Sequence, residues 1–133
     1  MHPSCKAIRM DGLGPKTTFS SAVRAGDFLY ISGMTATDET RRVVGVGDIV
    51  AQTRQIYKKI GDVLRSAGAD LGSIVETVDY VTSFEGYEKT AIVRREVFGD
   101  GPYPAATGVR VSGLVRPDAL IEIRAIAYLG GVA

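Results

Sequence analysis

A glutamate set in the middle of an apolar segment is the residue of this chain best placed to do chemistry. Glu122 lies in Leu120-Ile121-Glu122-Ile123-Arg124, and alternation puts it opposite an apolar row formed by Ile121, Ile123, Ala125, Ala127 and Leu129. If the Glu122 face is buried, for instance between subunits, the carboxyl pKa rises. Such a group can hold a water and pass protons near neutral pH, which suits hydrolysis of a C=N bond. From the residues alone a structural account is simpler: Glu122 pairs with Arg124, two positions on, or with Arg110 on a neighbouring strand.

Other chemistries are poorly supplied. The only cysteine is Cys5 and the only histidine is His2, so neither a nucleophilic triad nor a Cys/His zinc site can be assembled, and no metal is expected. Cys5 reads as a small strand residue with no activating neighbour. Gly45-Val46-Gly47-Asp48-Ile49-Val50 has the outline of a glycine-rich nucleotide loop, but Val50 stands where the third glycine belongs, and a helix-entry turn suffices. Lys and Arg number 16 against 15 Asp and Glu, a balance without the positive field that a phosphate backbone requires. Nucleic acid is therefore not an expected partner. The segment MHPSCKAIRM lacks the apolar stretch of a secretory leader, and no apolar run approaches the ~20 residues of a membrane span. A soluble, cytoplasmic protein without membrane contacts is expected.

The elements that position Glu122 can be read from spacing and punctuation. A short strand is predicted over Lys6–Met10, then a hairpin of Ser20–Arg24 and Phe28–Gly33 turning at Ala25-Gly26-Asp27. Thr35–Gly47 is a polar excursion with Arg41 and Arg42 at its tip and one short strand near Val43. Asp48–Ala67 carries Ile49, Thr53, Ile56, Ile60, Val63, Leu64 and Ala67 at helical spacing, with an acid at its start and Gly68 at its end. Ile74–Ser83 predicts a strand and Tyr87–Phe98 a second helix that groups Tyr87, Ala91, Arg94 and Phe98. Arg94 and Arg95 read as solvated charges, and Tyr30, Tyr80 and Tyr103 as core residues with polar tips. Two closing strands, Ala105–Val111 and Leu120–Tyr128, flank a loop holding Arg116-Pro117-Asp118.

The order ββ(β)αβαββ without repeats predicts a single α+β domain over residues 1–133: a mixed sheet with both helices on one face. The other face is expected to carry Ala106, Gly108 and Arg110, an odd set for a surface meant only for water, and a subunit interface would account for it.

Several segments resemble the RidA/YjgF family of imine and enamine deaminases. Phe19-Ser20-Ser21-Ala22-Val23-Arg24-Ala25-Gly26-Asp27 with Leu29-Tyr30-Ile31-Ser32-Gly33 is similar to the family's opening, and Ala51-Gln52-Thr53-Arg54-Gln55 to its first-helix signature. Pro102-Tyr103-Pro104-Ala105 and Ala119–Ala127 resemble its closing strands. The resemblance implies a chorismate-mutase-like fold and a homotrimer with three clefts between subunits. It also implies hydrolysis of reactive imines and enamines to a keto acid and ammonia without any cofactor. In that scheme a glutamate, here Glu122, positions the water, and an arginine after the Pro-Ala pair clamps a substrate carboxylate.

That arginine is Ala106 here. The family's loop tyrosine is Phe19, its first-helix asparagine is Lys59 and its second-helix asparagine is Ala91. The implied cleft takes in Phe19, Ser32 and Gly33, with Ala106, Thr107, Gly108 and Arg110 of the closing strand and Tyr87 of the second helix as further substrate contacts. Arg110, four residues beyond Ala106 and roughly 13 Å along a strand, is a candidate replacement clamp. The expected function is thus a hydrolytic deaminase of a larger or differently charged enamine or imine, for example one like 2-aminomuconate. A non-catalytic small-ligand-binding trimer, or a lyase or rearrangement enzyme using the same cleft, are the alternatives.

Overall fold

The computed structural model describes residues 1–133. Six strands form one sheet: β1 (Cys5–Ile8), β2 (Ala22–Ala25), β3 (Phe28–Met34), β4 (Ile74–Val81), β5 (Ala105–Arg110) and β6 (Ile121–Tyr128). Their spatial order is β1-β2-β3-β6-β4-β5, antiparallel throughout except for the parallel pair β4 and β5. That parallel pair needs a crossover, which α2 (Thr90–Phe98) supplies. No helix is long and apolar enough to cross a membrane.

The long helix α1 (Ile49–Ser66) forms where the spacing places it, and both ends are closed by identifiable bonds. Asp48 accepts a hydrogen bond from the Ala51 N–H at 3.0 Å, a cap that stabilises by about 1 kcal/mol. At the other end Gly68, at φ +79°, donates to Arg65 O while Ala69 donates to Leu64 O, so the left-handed glycine satisfies carbonyls the helix leaves open. The buried stripe Ile56, Ile60, Val63 and Leu64 packs on Leu29 and Ile31 of β3 and on Ile121, Ile123, Ala125 and Ala127 of β6.

Gln52, fully buried on α1, ties this helix to the approach of β6. Its amide donates to Gly45 O and Asp118 O and accepts from the Leu120 N–H. The loop bearing Arg116 and the strand bearing Glu122 are thereby fixed to one point.

Elsewhere the outline differs from the sequence reading in detail. The excursion after β3 holds a single bridge, Thr37 to Val43, in place of a strand, because Asp38 turns the chain by accepting from Thr40 and Arg42. The second helix opens with a 3₁₀ turn, Tyr87–Lys89, before α2 begins. Tyr30 and Tyr103 are about half exposed; the buried tyrosine is Tyr57, on α1. The sheet face away from the helices leaves Phe28, Tyr30 and Tyr128 exposed, with the Phe28 and Tyr128 rings 5.4 Å apart.

Candidate active site

Glu122 faces a cleft of about 710 Å³ bounded by the 10–19 loop, the end of β3, the excursion after it, α1 and the loop before β6. Phe19, Ser32 and Gly33 line the same cleft. Glu122 is half-buried, and burial raises its carboxyl above the ordinary glutamate value. No side chain pairs with it: the ion pairs of the molecule are Arg54–Glu96, Lys58–Asp62 and Arg65–Asp62. The structural pairing with Arg124 or Arg110 is therefore corrected, and the carboxyl points into open space.

Gly33 explains how it does so. The pairing of β3 with β6 shifts register between Ile31 and Met34, and a Cβ placed on Gly33 would lie 2.5 Å from Glu122 Oε2. A glycine at this bulge gives the carboxylate its room. Ser32 is committed elsewhere, its hydroxyl donating to Ser20 O at 2.6 Å. Arg9, which sequence reasoning passed over, holds the rim by donating to Gly14 O, Thr17 O and Phe19 O.

The remaining site candidates gather somewhere else. Ala106, Gly108 and Arg110 pair with Thr77, Asp79 and Val81 of β4, all buried on the helix side. They therefore point to the helix side of the sheet, which corrects the expectation that they share the Glu122 face. Small side chains alternating along an edge strand carry no hydropathy contrast, so only the pairing register fixes their direction. Thr107 does share the Glu122 face, but it lies level with Val78 and Arg124, two strands from β6. Within one subunit Arg110 cannot clamp a group held by Glu122.

Beneath α2 the edge strand meets a buried polar cluster. Tyr87 donates to Asp79 Oδ2 at 2.8 Å, and its hydroxyl lies so close over Gly108 that a Cβ there would force the ring to shift. Asp79 is only 3% exposed and its Oδ1 has no partner. Burial raises the Asp79 carboxyl, while the Tyr87 bond and the Arg94 charge oppose that rise. Burial likewise pushes the Tyr87 hydroxyl up, and that of Tyr57 to about 12. Arg94 is not the solvated charge expected: it is half-buried, reaching Thr77 Oγ1 at 3.3 Å and Tyr57 OH at 3.5 Å, with the Phe98 ring 6.0 Å away. Thr77 is the register partner of Ala106, so Arg94 bonds the β4 residue level with the position where the arginine is missing.

An α+β sheet whose β3–β6 bulge frames one unpaired glutamate defines the class, and comparison with known proteins agrees. The sequence profile described as endoribonuclease L-PSP matches residues 10–129, and this chain belongs to that family, the RidA/YjgF family. It is 38% identical over 116 residues to a RutC family protein of Pyrococcus horikoshii, covering 87% of this chain and 88% of the relative. It is 36% identical over 115 residues to the 3-aminoacrylate deaminase RutC of Acinetobacter baylyi, covering 86% and 90%. The crystal structure of YyfA, a Rid family protein of Yersinia pestis, superposes with a TM-score of 0.83 at 31% identity, over 93% of this chain and 98% of that one.

Proposed function

We propose that this protein is a cofactor-free hydrolase that deaminates a reactive enamine or imine larger than the small 2-imino acids, working as a homotrimer with its clefts between subunits. The observation that carries the reading is Glu122: half-buried, unpaired, and directed into the cleft past Gly33. As carboxylate it takes a proton from water as the oxygen attacks the C=N carbon; as carboxylic acid it returns that proton to nitrogen, and collapse of the carbinolamine gives a carbonyl and ammonia. An enamine first needs a proton on carbon, which the raised acid form supplies. One group that exchanges a single proton suffices for the whole sequence, R₂C=NH + H₂O giving R₂C=O + NH₃.

The trimer is supported by two features. Phe28, Tyr30 and Tyr128 leave aromatic surface uncovered on the outer face of the sheet, which a neighbouring subunit would bury. The β5-edge residues lie across the sheet from Glu122, so they can join it only from another subunit. The 3-aminoacrylate deaminase of A. baylyi supports the reaction class. The near-neutral charge balance speaks against RNA as the substrate.

The test is ammonia release from 2-iminopropanoate, generated in situ from serine by a dehydratase, and from larger enamines. Wild type should accelerate release from the larger compounds, and Glu122→Gln should not. Equal rates for wild type, variant and buffer on every compound would leave a binding protein in place of an enzyme.

A further inference from the structure

The same cleft holds a second polar feature that the hydrolytic reading does not use. Lys59 on α1 points into it, its ammonium donating to Thr35 O at 2.8 Å and Thr37 Oγ1 at 2.7 Å. Two of its three N–H groups are thereby spent holding the excursion, and one is left over. Arg116, on the loop anchored by Gln52, lines the cleft beside it and donates to the backbone of Arg41 at 3.2 Å. Neither cation has a carboxylate within ion-pair distance.

The acids around the cleft do not fill that role. Asp62 is paired with Lys58 and Arg65, Asp38 is spent on the turn after it, and Asp11 and Glu39 are exposed at the mouth. Burial first, and the charge of Arg116 second, hold the Lys59 ammonium below its ordinary value. A half-buried ammonium beside a guanidinium, with no counter-charge, is a costly arrangement unless an anion comes to it. The cleft, at about 710 Å³, is also large for a three-carbon acid.

We infer that Lys59 and Arg116 form an anion-binding wall in the Glu122 cleft, so that the substrate carries an acidic group, carboxylate or phosphate, remote from its C=N bond. The assignment rests on the hydrolytic reading for the position of the C=N bond. It places recognition on α1 and the loop before β6, and so needs no arginine at Ala106. Specificity then runs toward longer substrates with an acidic group at the end away from the C=N bond.

Calorimetric binding of 2-oxoglutarate and of pyruvate, keto acids with and without a second carboxylate, tests this, with inorganic phosphate as competitor. Wild type should bind 2-oxoglutarate at least 10-fold more tightly than pyruvate, and Glu122→Gln should keep that preference. Lys59→Met and Arg116→Gln should each lose it, while Lys59→Arg retains most of it. Circular dichroism confirms folding, and Arg116→Gln covers the case in which Lys59→Met loosens the Thr35–Thr37 segment. Binding in alkaline buffer, below the ordinary lysine value of 10.5, should also draw a proton onto Lys59, seen as a dependence of the heat on buffer ionisation and absent in Lys59→Met. Phosphate binding that is lost in Lys59→Met and Arg116→Gln, with no preference for 2-oxoglutarate over pyruvate, would assign the wall to a phosphorylated substrate.

Failure to bind any of the three anions, or a preference that survives both neutral variants, overturns the inference. Absence of ammonia release from every enamine, with Lys59-dependent binding intact, would instead remove the hydrolytic reading and leave the anion wall standing.

Discussion

Two acids on opposite faces of one sheet are both pushed up by burial, yet they are built for different ends. Glu122 on β6 faces a cleft, has no partner and is kept clear by Gly33. Asp79 on β4 is sealed under α2, gripped by Tyr87 and steadied by the Arg94 charge. A raised pKa alone does not mark a catalytic group; access to water and freedom from a fixed partner separate the two. The cleft side exposes its carboxyl and the edge side locks one away.

The largest expected effect comes from removing the accessible acid. Glu122→Gln should lower the rate of ammonia release from the best enamine substrate by about 100-fold or more, the usual scale for loss of a general acid–base group, measured by steady-state assay. Gly33→Ala follows. Its Cβ would sit 2.5 Å from Oε2 and so displace the carboxylate, and a fall of about 10-fold to 100-fold in kcat is expected. A variant with full activity would show that the carboxylate needs no room at that bulge.

On the sealed side the expected losses are in stability. Tyr87→Phe takes the only hydrogen-bond donor from Asp79 and should cost about 1–3 kcal/mol in urea unfolding. An unchanged midpoint would mean that Asp79 finds another partner.

The smallest effect is a pH-dependent one. The Glu122 carboxyl has its folded pKa raised, so the folded state binds the proton more tightly, and stability is lost as pH rises through that pKa. Glu122→Gln should accordingly melt slightly higher than wild type at pH 7, with the advantage disappearing below pH 4.5, the ordinary glutamate value.

The parts of this comparison that sequence reveals are those with a strong period. Ile121, Ile123, Ala125, Ala127 and Leu129 alternate cleanly, which places Glu122 on the opposite face, and every one of them is buried. The α1 stripe and its Asp48 and Gly68 ends are equally plain, because apolar spacing and cap chemistry agree. The Gly45-Val46-Gly47 turn entering α1, with both glycines at positive φ, needs no nucleotide to explain it.

The β5 edge was not legible. Ala106 and Gly108 give no contrast with their neighbours, and their direction depends on which residue of β4 each one meets. Nor could spacing join Lys59 to Arg116, which lie on a helix and a loop far apart in the chain and line one cleft, the loop being tied to that helix by Gln52. Gly33 was found through family resemblance, while its reason, the proximity of Glu122, depends on a bulge that alternation does not encode.

The central claim is that an unpaired, burial-raised Glu122 carries the proton transfers. The pH dependence of kcat/KM for enamine hydrolysis tests it most directly. The account predicts a limb with an apparent pKa above 4.5, the rate falling as pH rises because the acid form must first protonate the enamine carbon, and absent from the residual activity of Glu122→Gln. A profile flat across that region, or a limb that persists unchanged in the variant, would contradict it.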